Sequence, residues 1–423
     1  MIPKRNNENG QAIVLLVLSI VVLLGFTALA LDGGMAYSDR RHAQNAADTA
    51  ALAGGGAAGS IIEEKGLVWE NWNRCGETLD SARNAAITRA ETNGYTIIYH
   101  PGIDGHDYVL AECFPDHLKV TVDILKDTPT SMAHLLYNGQ LRNIVQAVAK
   151  VSPERSAYFG QSIIALKNDA CSSSNGYGIE LKGTSDVILS GGGAYSYSCL
   201  YGNGTVDMIV TDTDGGISYV DSVVTPGGPV FDPTPTQTDG SLPIDVIPEP
   251  DCEALGNTIQ ARPSATTISP GRYESIRQTT GDLTLNPGLY CITNDFYFSG
   301  FNIRGEGVTI YSEIGSLSIT ANANAILSAP TSETSGVPPA IPGVLVYMEN
   351  GDVTMLGGTT ALYTGTIYAP DGNVQIGGSS AANSEYNVQV IAWTVQLHGT
   401  PGIGFVFNSD DNYRVPAKMD LYR

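Results

Sequence analysis

The sequence predicts an α+β protein with a mainly β C-terminal part. An N-terminal transmembrane helix continues into a long helix, a small α+β domain follows, and a right-handed parallel β-helix completes the chain. Three observations carry this. Ala12 to Leu31 reads AIVLLVLSIVVLLGFTALAL, an uncharged run about long enough, as a helix, to cross a bilayer core. Short β-branched strands recur at a fixed shift of 21 residues in two separate regions. Charged residues make up only 15% of the 423, against 48 Gly and 21 Tyr, a composition suited to turns and sheets. A β-sandwich is the alternative for the C-terminal part, since it too gives regular strands.

Charge and cysteines bound the function. Lys+Arg number 22 against 43 Asp+Glu, a net charge of −21, which argues against a nucleic-acid-binding surface. Six cysteines in an anchored, acidic chain suit disulfides in an oxidising compartment. Proximity alone favours the pairs Cys75 with Cys113, Cys171 with Cys199 and Cys252 with Cys291.

Residues 1–11, with Lys4 and Arg5, read as a cytoplasmic N-terminus, and residues 12–31 as the transmembrane helix. A cleaved signal peptide is the other reading, but the apolar run exceeds an ordinary signal core. Arg40 and Arg41 balance Lys4 and Arg5, so counting cations leaves orientation even. The acidic, cysteine-bearing bulk decides it. The expectation is a single-pass protein of the cytoplasmic (inner) membrane, N-terminus inside, ectodomain extracytoplasmic or at the cell surface, with the lipid bilayer as its first partner.

Residues 32–59 continue as a juxtamembrane helix. Ala36, Ala43, Ala47, Ala50 and Gly54 form a stripe of small side chains that lets another helix approach closely. Arg40, Gln44 and Asp48 fall at i, i+4 and i+8, where they can bond along the helix. The order Leu31-Asp32-Gly33-Gly34, Tyr37, then Asp39 through Gly54 (DRRHAQNAADTAALAG) closely resembles the N-terminal signature of Tad-type pilus-assembly proteins, the TadE/TadG-like proteins of the tight-adherence (Flp pilus) system. The matching positions are Arg40, Arg41, Gln44, Ala46, Ala47, Asp48, Ala50, Ala51 and Leu52. His42-Ala43 stands where the family has a larger apolar residue, and Thr49 replaces an Ala.

The resemblance implies a bitopic envelope protein that builds or stabilises a pilus, or a minor pilin-like component, with other pilus-assembly or pilin-like membrane proteins as partners. A processed prepilin carries Glu at the fifth mature position; cleavage at Gly10-Gln11 would put Leu15 there, and the apolar run holds no Glu. That points to an accessory role.

Residues 60–152 read as a small α+β domain. Ala82, Ala85, Ala86 and Ala90 predict a helix over Ser81–Asn93 stopped by Gly94. Strands are expected at Tyr95–Tyr99, Leu118–Leu125 and Ile144–Val151, with a short helix at Ser131–Tyr137. Residues 153–224 hold the first β-helix coils, where Val187-Ile188-Leu189 and Met208-Ile209-Val210 align. Residues 225–250, rich in Pro, Gly and Thr, predict an extended connector. Residues 251–423 form the main β-helix ectodomain. There Val353, Val374 and Val395 align, with an interleaved series at Val346, Ile367 and Val388. Pro287-Gly288-Leu289-Tyr290 and the phrase from Gly365 to Pro370 also resemble β-solenoid ectodomains of surface-appendage proteins.

No catalytic constellation stands out, and the expectation is a non-enzymatic protein without cofactor or metal. His100, His106, Cys113 and His117 crowd one stretch but match no compact zinc spacing, and Cys113 competes for a disulfide. Gly54-Gly55-Gly56 and Gly191-Gly192-Gly193 lack a P-loop's Lys-Ser/Thr and read as a helix end and a solenoid corner. Asp212 and Asp214 read as a turn rather than a calcium loop, and Asn203-Gly204-Thr205 as a surface sequon. Asp282, Asp295, Glu306 and Glu313 motivate the alternative of an anchored polysaccharide-degrading or carbohydrate-binding β-helix. In either case surface polysaccharide is a candidate partner.

Overall fold

The computed structural model describes residues 9–97, 107–132, 134, 139–172, 176–184, 186–212, 215–226, 228, 230–256, 259–260, 266–331, 339–357, 361–378, 385–399 and 403–422. Two compact units emerge, Met1–Arg155 with Pro416–Arg423, and Ser156–Val415.

In the first unit, one helix, α1 (Asn9–Glu64), runs unbroken for 56 residues, about 84 Å. Gly54-Gly55-Gly56 therefore does not end it. These glycines lie inside the helix because two of them face neighbours too close for a side chain. A Cβ on Gly54 would sit 2.9 Å from the Ala82 carbonyl oxygen. That carbonyl belongs to α2 (Gly76–Thr92), whose Ala82, Ala86 and Ala90 are buried against α1 and whose end is followed by Gly94 at φ +89°.

Three strands, β1 (Tyr108–Cys113), β2 (Leu118–Pro129) and β3 (Gln140–Ser152), pair antiparallel in order. Alternation puts Val120, Val122, Ile124, Ala147 and Ala149 in one core with the α1 alanines. The strand expected at Tyr95–Tyr99 does not form over Tyr95–Ile97, which is irregular; residues 98–99, like residues 133 and 135–137 of the expected short helix, lie outside the described residues. A further correction concerns the C-terminus. Lys418–Tyr422 is a strand paired antiparallel with β3, Ala149 opposite Leu421, so these residues complete the small sheet rather than the ectodomain. The free edge of β3 and the apolar Met419 and Leu421 explain their destination.

The second unit is a stack of β-coils paired in parallel, which replaces the β-sandwich alternative. Its order is not the chain order. One register column climbs Ile259, Arg272, Cys291, Tyr311, Tyr347, Tyr368 and Ile391, then continues through Ile164, Tyr195, Ser218 and Thr236. Thus the chain enters the stack in the middle, climbs to one end, returns to the other, and climbs back until Val390–Gly399 pairs with Ile163–Ala165 and Ile179–Gly183.

The aligned triads behave as the spacing requires: Val187 faces Met208, and Val353, Val374 and Val395 stack. The interleaved series is corrected at its third member. Ile367 pairs with Val390, not Val388, because the corner Pro370-Asp371-Gly372 gives its coil two residues more than the next. Aspartates knit successive coils, the half-buried Asp207 accepting from Val230 N (2.7 Å) and the exposed Asp352 from Asn373 N (2.8 Å).

The connector is extended, as its prolines dictate. Its first part nevertheless adds Phe231–Asp232 and Thr236–Gln237 to the end of the stack, where only one edge is paired and flanking prolines are tolerated. Beyond that it straps the outer column. Tyr195 hydroxyl meets Thr238 Oγ1 (3.0 Å), Tyr197 hydroxyl donates to Leu242 O, and Tyr158 N donates to the Asp245 carboxylate (2.7 Å). Tyr347 hydroxyl then donates to Ile247 O (3.4 Å), Tyr311 hydroxyl to Glu249, and Cys252 bonds Cys291. Ten residues from Leu242 to Cys252 reach about 33 Å extended, enough for six coil spacings of about 4.8 Å. Tyr158, at φ +48°, is held there by the strap's Asp245.

Candidate assembly site

Among the described residues, α1 is the one helix long and apolar enough to cross a membrane, and none of that apolar stretch is buried. Ile13 to Leu31 presents Ile, Val, Leu and Phe to the surroundings on every side. About twenty residues at this hydrophobicity match the thickness of a bilayer core, the one solvent such a helix favours.

Past Leu31 the helix changes character. Asp32, only 3% exposed, accepts from Ser131 N (2.9 Å) and Met132 N (3.1 Å), just beyond the end of β2. Asp39 accepts from Thr128 Oγ1 (2.7 Å), and Ala36 O from Asn143 Nδ2 (3.4 Å). The β2–β3 hairpin is thereby clasped along the first turns after the apolar run. Sequence reasoning gave Asp32 and Asp39 no structural role. The signal was a lone Asp directly after an apolar run, a position that is costly unless its carboxylate is bonded.

The signature residues divide into two groups. Ala46, Ala47, Ala50 and Ala51 are buried, together with Ala43 and Ala58, in the core made with α2, β2 and β3. The small stripe does admit another helix, but the helix is this chain's own α2, so it is not the surface left for a membrane partner. Asp48 is 6% exposed and accepts from Gln44 Nε2 (2.8 Å), which also reaches Gln146 O (3.2 Å). Among the described residues Arg40 does not join this line; Arg40, Arg41 and Leu52 are exposed. Thr49, a departure from the family pattern, accepts from Asn93 Nδ2 (2.9 Å) and so fastens the end of α2. Ala36, the first of the stripe, is half-buried.

Three disulfides form between the neighbouring cysteines, Cys75–Cys113, Cys171–Cys199 and Cys252–Cys291. Cys113 is therefore no metal ligand. His117 bonds Asp116 (2.6 Å) and stacks on Phe114, and His100 and His106 lie outside the described residues, as does Asp214. Asp212 accepts from Gly191 N, at a corner where Gly191 takes φ +80°. Asn203 is exposed.

The four acids behind the enzyme alternative are all exposed. Asp282 accepts from Asn302 N (3.0 Å) and Nδ2 (2.9 Å), bonds that hold its carboxyl below the usual range. Asp295 accepts from Ser316 N (3.0 Å), the same coil-knitting role. Glu313 lines a cleft of about 280 Å³ with Glu249, Arg272 and Tyr311 beside the strap. Burial, then the charges of Glu249 and Glu313, raises the carboxyl of Glu349 nearby. Glu306 stands in a turn between coils.

Comparisons with known proteins speak to the same N-terminal segment. Residues 10–58 match the Tad model, described as Flp pilus-assembly TadE/G-like. The rest of the chain lies outside that match. No curated protein matches the chain. Among solved structures it shows similarity to the competence-associated pilin ComZ from Thermus thermophilus, at 10% identity over 79% of this chain and 90% of that one. The TM-score of 0.22 is too low for that likeness to carry an argument.

Proposed function

We propose that this protein is a non-enzymatic, membrane-anchored cell-envelope component that takes part in Tad (Flp)-type pilus assembly or surface adhesion, as an accessory or minor pilin-like subunit. The observation that carries the reading is the Tad-matching segment at residues 10–58, whose apolar half is wholly exposed. The buried alanines serve the chain's own fold, so residues 12–31 are what remains to meet lipid and other membrane helices. Its N-terminus lies inside, its disulfide-bonded units outside, consistent with an oxidising compartment. The absence of Glu from the apolar run favours an accessory over a polymerising role.

Affinity purification of the intact protein from membranes should bring pilus-secretion components with it. Deletion should impair piliation or attachment; a deletion strain with normal pili and normal adhesion refutes the reading. Release of reducing or unsaturated ends from polysaccharide by the intact protein would favour the carbohydrate-active alternative instead.

A further inference from the structure

We propose that the small domain rests directly on the bilayer, using Ser131 and Met132 just beyond β2, Ile144 of β3 and the first turns of α1 beyond the apolar run as a docking surface for anionic lipid. The inference rests on reading residues 12–31 as a membrane anchor, and it concerns what the domain beside the anchor touches.

Continuity comes first. The apolar face stays open through Leu31 (49% exposed), and the next residue, Asp32, binds Ser131 N and Met132 N. The hairpin is therefore pinned at the level where the hydrocarbon ends. Met132 is 43% exposed and Met35 39%, while Tyr37 and Ile144 reach 70% and 64%. At 1.5 Å per residue, Met35 and Tyr37 lie about 6–9 Å beyond Leu31. The headgroup layer extends about 5–7 Å past the core, and Tyr favours that boundary. Asn143 is bonded to Ala36 O, which puts Ile144 at a similar height.

Charge is the second argument. The chain carries −21, so an anionic surface repels it overall. Locally Asp127 is paired with Arg142 through Nε and Nη2 at 3.0 and 3.1 Å, while Asp32 and Asp39 keep their charge but turn it onto hairpin donors. Arg40 and Arg41 are exposed, with their Cα atoms about 14–15 Å past Leu31. Helical side chains lean toward the N-terminus, so these long arms extend back toward the phosphates, as snorkelling cations do. Two cations outside the anchor, which leave the orientation count even, thereby acquire a local role.

The test uses the full chain in vesicles of phosphatidylcholine and phosphatidylglycerol carrying brominated acyl chains. Tryptophan is introduced by Met132→Trp, by Ile20→Trp within the anchor, and by Glu91→Trp on the exposed end of α2, each read as the signal added to the native protein. The expected result is loss of the added signal for Met132→Trp with bromine high on the chain, for Ile20→Trp with bromine deep, and for Glu91→Trp with neither. Adding Arg40→Gln and Arg41→Gln, or omitting phosphatidylglycerol, should restore signal at position 132 but not at position 20. Full signal at 132 with quenching at 20 overturns the docking surface and leaves the anchor standing. Full signal at 20 removes the anchor reading and the inference with it. Quenching at 132 indifferent to the arginines and to anionic lipid overturns the charge argument.

Discussion

The middle entry of the chain into its coil stack makes a mutation near the C-terminus act on strands far upstream. Phe405 is fully buried between Tyr386, 5.5 Å away between ring centroids, and Leu189, its register partner on the other side. Phe405→Ala removes the ring and leaves a cavity in a coil that must close on both neighbours, a loss of about 3–5 kcal/mol. Coil stacks transmit stability through nearest neighbours, so the weakened step lies between the coil of residues 390–406 and that of residues 163–190. Amide exchange of Ile163–Ala165, Ile179–Gly183 and Val187–Ser190 should accelerate by about two to three and a half decades, at roughly 1.4 kcal/mol per decade. Leu283→Ala is the control. It empties a buried site far along the stack, in a coil paired with Ile303 and not with any of those strands. If Phe405→Ala leaves exchange over residues 163–190 unchanged, or if Leu283→Ala accelerates it equally, the stacking order is wrong.

Three further outcomes follow from local geometry. Gly54→Ala should destabilise the small domain, because a Cβ 2.9 Å from a backbone carbonyl forces α1 and α2 apart at about 1–3 kcal/mol; Gly56→Ala, with nothing within 4 Å, should stabilise it by up to about 1 kcal/mol through helix propensity. Thermal unfolding that moves both variants the same way contradicts the packing. Asp245→Ala leaves the buried Tyr158 N–H without that acceptor and should cost about 1–3 kcal/mol in urea, read by Trp393 in the same cluster. Glu349→Gln concerns pH: a carboxyl raised in the folded state binds its proton more tightly there than when unfolded, so its contribution falls as pH rises from the unfolded value through the folded one. The variant should melt higher than the parent at neutral pH, with the difference vanishing below the ordinary carboxylate range; a constant difference across pH excludes the mechanism.

What was legible in the sequence is what short-range pattern encodes. An uncharged run, the alanines of α2 and a repeat between Val353, Val374 and Val395 each follow from periodicity within one stretch. Which stretches become neighbours is a different matter, because periodicity is silent about how separate runs join. A trace was present all the same: Gly357, Gly378, Gly399, Gly183 and Gly204 stack as one corner column. The shared form of VQLHG and IELKG was the clue that residues 395–399 lie against 179–183. The alanine stripe of α1 shows the complementary limit. Its chemistry specifies a close-packed helix, but not whether that helix comes from another molecule or, as here, from residues 76–92 of the same one.

The docking of Lys418–Tyr422 on β3 also sets the order in which the molecule can be made. During synthesis the anchor, both helices and three strands of the small domain leave the ribosome early, yet the edge of β3 stays open until all of Ser156–Val415 has followed. Domains made first ordinarily finish first. This one waits, with an unpaired strand edge able to recruit a wrong partner. Both crossings between the units also have to be cut before a protease can shed the coil stack, so a single nick at either one leaves it tethered.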